Sequence, residues 1–202
     1  VNKISELIKA MEVGWMLRTL KSGRVLDVGS QEATYIKELL DKDYELCRVD
    51  TRKIEPEGRE RCVRGDIMNL GRKFFHRFDN VVLLSTLEHI GLEIYGNKAV
   101  ENPKEYQRHA LQYCLNYLGY KGRLLCSLPY GSFENQGWQF VYDKRMVEEL
   151  VKELNLVDIQ YFTYDEEMKK YCWCREKEVR MEGEVAGEHS LLSGVCLEVW
   201  NG

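Results

Sequence analysis

An α/β fold with a mostly parallel sheet and helices on both faces is predicted by three observations. Short apolar runs alternate with amphipathic helical runs along most of the chain. One of them, Arg24-Val25-Leu26-Asp27-Val28-Gly29-Ser30, passes through a glycine into the helix-like Thr34-Tyr-Ile-Lys-Glu-Leu-Leu40. Strand, glycine turn and helix in that order open a nucleotide-type βαβ unit. Finally, the last two apolar runs, 157–164 and 193–200, have no clear crossover helix between them. They should therefore pair antiparallel at one edge.

The elements follow in order. Ile4, Leu7, Ile8, Met11 and Trp15 recur at helical spacing, so an amphipathic helix over 3–20 packs on the sheet or walls a pocket. Three apolar residues then lead into Asp27 as a buried strand. Gly29 permits a sharp turn and close backbone approach to a ligand. The helix over 34–41 would aim its N-terminal amides at that ligand. Glu45-Leu-Cys-Arg-Val-Asp50 is a second strand ending in a carboxylate 21 positions after Gly29. An acid at about that distance accepts hydrogen bonds from ribose hydroxyls in doubly wound sheets. A capping or turn role is the other reading of Asp50; the glycine turn favours the ribose.

Pro56 and Gly58 mark a loop, and a third strand over 61–66 ends in Gly65-Asp66, followed by Ile67. Phe78-Asp-Asn-Val-Val-Leu-Leu-Ser85-Thr86 is more apolar than the strands before it and belongs at the centre of the sheet, with Leu87-Glu88-His89-Ile-Gly91 directly behind it. A long helix over 103–118 has Pro103 in its first turn and Gly119 at its end. A strand over 122–130, an aromatic glycine-rich loop over 131–142, an N-cap at Asp143 and a helix over 144–154 complete the alternation. The charged, weakly patterned stretch 165–190 reads as an insertion or flap within one domain spanning 1–202.

Composition narrows the partners. The 202 residues carry 44% hydrophobic and 31% charged side chains and a net charge of −4. That charge offers no bulk attraction to nucleic acid or anionic lipid, and no basic, aromatic-interleaved patch appears. No apolar run approaches the roughly 18 residues that span a bilayer. The opening Val1-Asn-Lys-Ile-Ser-Glu lacks the apolar core of a signal peptide, and seven cysteines make an odd, scattered set. The expectation is a reduced, cytoplasmic protein without a disulfide framework.

Six ordered pieces resemble the class I S-adenosylmethionine-dependent methyltransferases. They are Val25-Leu-Asp-Val-Gly29, Asp50, Gly65-Asp66-Ile67, Phe78-Asp-Asn-Val-Val with Ser85-Thr-Leu-Glu-His-Ile90, Gly119-Tyr-Lys-Gly-Arg-Leu-Leu, and Leu128-Pro-Tyr-Gly131. The resemblance covers about 22–164 and 193–200. Glu88-His-Ile-Gly-Leu-x-x-Tyr-Gly96 looks like a branch whose substrates are unassigned. The resemblance implies a Rossmann-like, seven-stranded sheet with an antiparallel edge strand and S-adenosylmethionine across its carboxyl ends. It also implies that Asp27 and Gly29, with Ser30 and Gln31 in the same turn, border the methionine end of the cofactor. Asp50 would hold the ribose, Asp66 and Ile67 the adenine, and Ser85 would close over the methyl donor. One departure stands out. The family's turn reads Asp-x-Gly-x-Gly-x-Gly, but Gln31 and Ala33 replace its second and third glycines.

The expected activity is methyl transfer to a small molecule or glycan, chiefly to a hydroxyl. A hydroxyl acceptor benefits from a base worth about 10²–10⁴ in rate. His89, behind the central strand, is the histidine placed at that mouth, with Glu88 beside it; capping the strand end is its other reading. A scaffold that has lost catalysis and serves as an interaction partner is the alternative, motivated by Gln31 and Ala33. Tyr95, Tyr130, Phe133, Trp138 and Tyr142 line an acceptor pocket or pack the loops down. Cys172, Cys174, His189 and Cys196 raise a metal reading, but Cys-x-Cys is poor spacing for zinc, so no metal is expected.

Overall fold

The computed structural model describes residues 3–179, 184–185, 188–189 and 193–202. In chain order the strands are β1 (Arg24–Val28), β2 (Glu45–Asp50), β3 (Arg61–Arg64), β4 (Phe78–Leu84), β5 (Leu118–Pro129), β6 (Glu134–Asn135), β7 (Phe140–Val141), β8 (Asn155–Asp165), β9 (Lys170–Cys174), β10 (Glu184–Val185), β11 (Glu188–His189) and β12 (Ser193–Asn201). The α-helices are α1 (Lys3–Thr19), α2 (Ile36–Asp41), α3 (Pro103–Cys114) and α4 (Lys144–Val151).

Eight strands form the main sheet in the order β3-β2-β1-β4-β5-β12-β8-β9. The first five are parallel, and β12 runs antiparallel between β5 and β8. Strand order reverses between β1 and β4, the crevice where doubly wound sheets bind ligands. Both faces are covered, which is why the strands read as continuous apolar runs. Leu26, Val81 and Leu83 pack with Ala110 and Leu111 of α3 and Val147 and Leu150 of α4. Their strand neighbours Val25, Val82 and Leu84 face Trp15 and Met16 of α1 and Ile36 and Leu39 of α2.

Helix caps follow their chemistry. Asp143 accepts a hydrogen bond from the Met146 amide at 2.8 Å, and Asn102 caps α3 ahead of Pro103. Gly119 does not end α3; the helix stops at Cys114, a 3₁₀ turn spans Leu115–Tyr117, and pairing of Leu118 with Phe78 already draws the chain into β5. The sheet has eight strands rather than seven because Lys170–Cys174 is a strand, correcting its expected place in a flap. The Asp165 carboxylate accepts from the Glu167 and Met168 amides, each at 2.9 Å, and this turn folds β9 back on β8. Beyond β9, 180–183, 186–187 and 190–192 lie outside the described residues. Among the described residues no helix is long and apolar enough to cross a membrane.

Candidate active site

A cavity of about 1180 Å³ opens at the carboxyl edge of the parallel strands, roofed on one side by α1. Register puts it there, because parallel pairing aligns Val28 with Val49 and Leu84 with Ser127. Gly29, Asp50, Asp66, Ile67, Ser85, Glu88 and His89 all line it. Asp27, Ser30 and Gln31, expected at the cofactor, are not on its wall. Asp27 is fully buried behind the turn. Ser30 Oγ donates to Asp27, and the Tyr35 hydroxyl donates to it at 2.7 Å. Burial pushes the Asp27 carboxyl up, and these two hydrogen bonds oppose that rise. Arg48, itself buried, donates to Ser30 Oγ at 3.0 Å and pairs with Glu60 at 3.3 Å. This network holds the turn in shape from beneath.

Asp50 is the most heavily engaged wall residue. Its Oδ1 accepts from the Arg52 amide at 2.9 Å and from Arg52 Nε at 3.2 Å. Its Oδ2 accepts from the Gln31 amide at 3.0 Å and from an Arg52 terminal nitrogen at 3.3 Å. A carboxylate has about four acceptor sites, so all are filled. The Arg52 guanidinium also pairs with Glu32 at 2.8 Å and lies 3.8 Å from the Tyr95 ring centre. Asp66 caps a 3₁₀ turn by accepting from the Met68 amide at 2.9 Å, which sets Ile67 against the cavity.

Beyond β4 the wall turns acidic. Ser85 has φ 45°, a left-handed backbone that costs about 1 kcal/mol or more for a non-glycine residue. It is held there by its amide, which donates to Ser127 Oγ at 3.0 Å, and by its hydroxyl, which donates to Glu12 at 2.7 Å. Ser127 Oγ donates to the same Glu12 at 2.9 Å. Glu12 comes from α1, is 1% exposed, and has its carboxyl pushed up by burial. Glu88 is equally buried, and burial pushes its carboxyl up to about 8, with Glu12 adding to the rise. Its Oε2 has no hydrogen-bond partner among the described residues.

His89 is oriented rather than free. Its Nδ1 lies 2.7 Å from the Trp138 carbonyl, its ring stacks on Trp138 at 5.6 Å, and Tyr95 meets it edge-on at 6.0 Å. A carbonyl only accepts, so Nδ1 carries the proton and Nε2 keeps its lone pair. Burial holds the imidazole below its usual range, which keeps it neutral near pH 7. Nε2 sits 3.9 Å from Glu88 Oε1, too far for a hydrogen bond.

Three solved structures superpose over nearly the whole chain. The N-methyltransferase NodS from Bradyrhizobium japonicum, in complex with S-adenosylhomocysteine, matches with a TM-score of 0.63 at 14% identity, over 99% of this chain and 88% of its own. A SAM-dependent methyltransferase from Archaeoglobus fulgidus has the same score and identity over 97% and 94%. The 1,6-didemethyltoxoflavin-N1-methyltransferase of Burkholderia thailandensis, bound to 1,6-didemethyltoxoflavin and S-adenosylhomocysteine, scores 0.60 at 15% over 96% and 76%. This chain has the class I methyltransferase fold. Neither a family model nor a curated protein matches the sequence.

Within the methyltransferase fold the glycine turn is reshaped. Only Gly29 needs a positive φ, +74°, and a Cβ there would stand 2.5 Å from Thr86. Ser30–Glu32 forms a 3₁₀ turn and Ala33 has φ −67°, so neither Gln31 nor Ala33 occupies a position that demands glycine. The substitutions therefore carry no backbone penalty. Of the loop aromatics, Tyr130 and Tyr142 pack inward, whereas Tyr95, Phe133 and Trp138 stay exposed. Glu12, Arg52 and Ser127 were not legible as site residues: Glu12 sits inside an amphipathic run, and the others carry no motif. Cys172 and Cys174 pair with Thr163 and Tyr161, whereas Cys196 pairs with Gln160, so the cysteines fall on opposite sheet faces. Among the described residues no cluster of three or more metal-binding side chains forms.

Proposed function

We propose that this protein is an S-adenosylmethionine-dependent methyltransferase acting on a small-molecule or glycan hydroxyl, with His89 as the base. The observation that carries this reading is a neutral, oriented imidazole with a free Nε2 in the same cavity as Asp50, Asp66 and Gly29. When bound, S-adenosylmethionine supplies a methyl group already activated by its sulfonium. Alignment therefore supplies most of the rate, about 7–11 kcal/mol in favourable cases. Asp50 would hold the ribose and Asp66 with Ile67 the adenine, while Gly29 lets the backbone approach. His89 Nε2 would take the acceptor's proton as the acceptor oxygen gains the methyl group. The products are a methyl ether and S-adenosylhomocysteine.

Calorimetry with S-adenosylhomocysteine tests the cofactor assignment. Asp50→Ala should weaken binding at least tenfold, about 1.4 kcal/mol. No binding by the parent, or equal binding by both, would remove it. Arg52 sharpens the test. Its fork fills sites on Asp50 that ribose hydroxyls need, so its side chain must move when the cofactor enters. Arg52→Met, which keeps the stem but not the fork, should bind S-adenosylhomocysteine several-fold more tightly than the parent. A loss of affinity would mean that Arg52 holds the cofactor rather than competing with it.

A further inference from the structure

Two carboxyl groups on the cavity wall, Glu12 and Glu88, are each 1% exposed. Among the described residues neither forms an ion pair with a lysine or arginine, although Lys9 on the same wall acts on both. Glu12 has serine donors. Glu88 Oε2 has none among the described residues. A buried acceptor without a donor is costly, and more so when charged. Arg52 pairs with Asp50 and Glu32 rather than with either of these carboxyls. We propose that the acceptor carries a protonated amine, seated on Glu88 within the field of Glu12 and beside the His89–Trp138 stack. This rests on the methyl-transfer reading and names its substrate class.

An ammonium suits this wall better than a neutral hydroxyl for two reasons. The second buried carboxyl adds a field that a neutral group does not exploit, worth most in a poorly solvated site. Trp138, half-exposed beside His89, also offers an aromatic ring to a cation, whereas the Tyr95 face already carries Arg52. The groups around Glu88 are Glu12 and Lys9 from α1, Cys126 from β5, Tyr142 after β7, and Tyr95 and His89 from its own loop. Lys9 opposes the rise in Glu88, yet burial outweighs it. Near pH 7 the free Glu88 carboxyl keeps its proton, so seating an ammonium should expel about one proton.

The cation could instead be the cofactor's own ammonium, so binding is measured with S-adenosylhomocysteine saturating. A panel of aromatic and aliphatic amines is titrated against neutral isosteres, such as tyramine against 4-ethylphenol, in buffers of differing ionisation enthalpy. At least one amine should bind tenfold or more tightly than its isostere and release about one proton at pH 7. Glu88→Gln, its fold checked by thermal melting, should abolish both the preference and the proton release. Should that variant not fold, Glu12→Gln should lower the preference several-fold, and proton release by the parent remains readable. Equal affinity for amine and isostere, no binding by any amine, or displacement of the amine by S-adenosylhomocysteine would overturn the proposal. Failure of the parent to bind S-adenosylhomocysteine would instead strike the methyl-transfer reading, and amine preference can be measured without it.

Discussion

His89→Ala should slow methyl transfer by roughly 10²-fold or more while leaving S-adenosylhomocysteine affinity within about twofold. The imidazole is presented by its Nδ1 bond to the Trp138 carbonyl, so its base is Nε2. Alanine removes that base and leaves the Asp50 side of the cavity in place. The pH profile distinguishes base from prop. Burial holds the imidazole below its usual value near 6.5, so loss of turnover through protonation of His89 should set in only below about pH 6.5, and His89→Ala should remove that limb. The test follows an acceptor screen over small hydroxyl compounds. Unchanged turnover in a folded variant would remove the base and leave alignment alone; equal, modest losses in both properties would reduce His89 to a loop prop.

Glu88→Gln should make the protein more stable than the parent at alkaline pH, by on the order of 4 kcal/mol at pH 9. The sign follows from the direction of the shift. Burial pushes the folded-state carboxyl up to about 8, against about 4.5 for a free glutamate. Below pH 4.5 both states hold the proton and Glu88 has no effect on the pH slope. Between 4.5 and 8 the unfolded chain releases it while the fold retains it, so stability falls as pH rises. Glutamine cannot ionise and escapes this loss. Burial also pushes up Asp27, which tilts both proteins alike, and Glu12, whose field on Glu88 is part of the shift being read. The difference between the melting curves therefore isolates Glu88. At about 2–4 °C per kcal/mol for a chain of this size, the gap should widen by roughly 8–16 °C between pH 5 and pH 9. Parallel curves would mean that Glu88 is solvated or paired in solution.

Much of the architecture was legible because it rests on local pattern. The apolar runs at Val25–Val28 and Val81–Leu84 are hydrophobic on both faces and so announce a covered parallel sheet. Asp143 and Pro103 announce helix starts through groups that must be satisfied locally. β9 was hidden, since Lys170–Cys174 has one half-buried face and charged neighbours, and only pairing with β8 gives it a role. The end of α3 was misplaced for a similar reason: Gly119 is a fair stop signal, but strand pairing at Leu118 claims the chain first.

The sequence by itself determined the βαβ order, the glycine turn, and the strand-end carboxylates Asp50 and Asp66, because each depends on residues a few positions apart. Only the tertiary structure decided which of them line the cavity. Asp27 and Ser30 sit one layer too deep, since their hydrogen bonds to Tyr35 and Arg48 turn them inward. Glu12 reaches Ser85 and Ser127 from positions 73 and 115 residues away, a contact that no local pattern encodes. Gln31 and Ala33 looked damaging in one dimension, yet the 3₁₀ turn asks for no positive φ at either. Burial, which raises Glu88 and lowers His89, belongs to the packed molecule, because it depends on how much water the surrounding chain excludes.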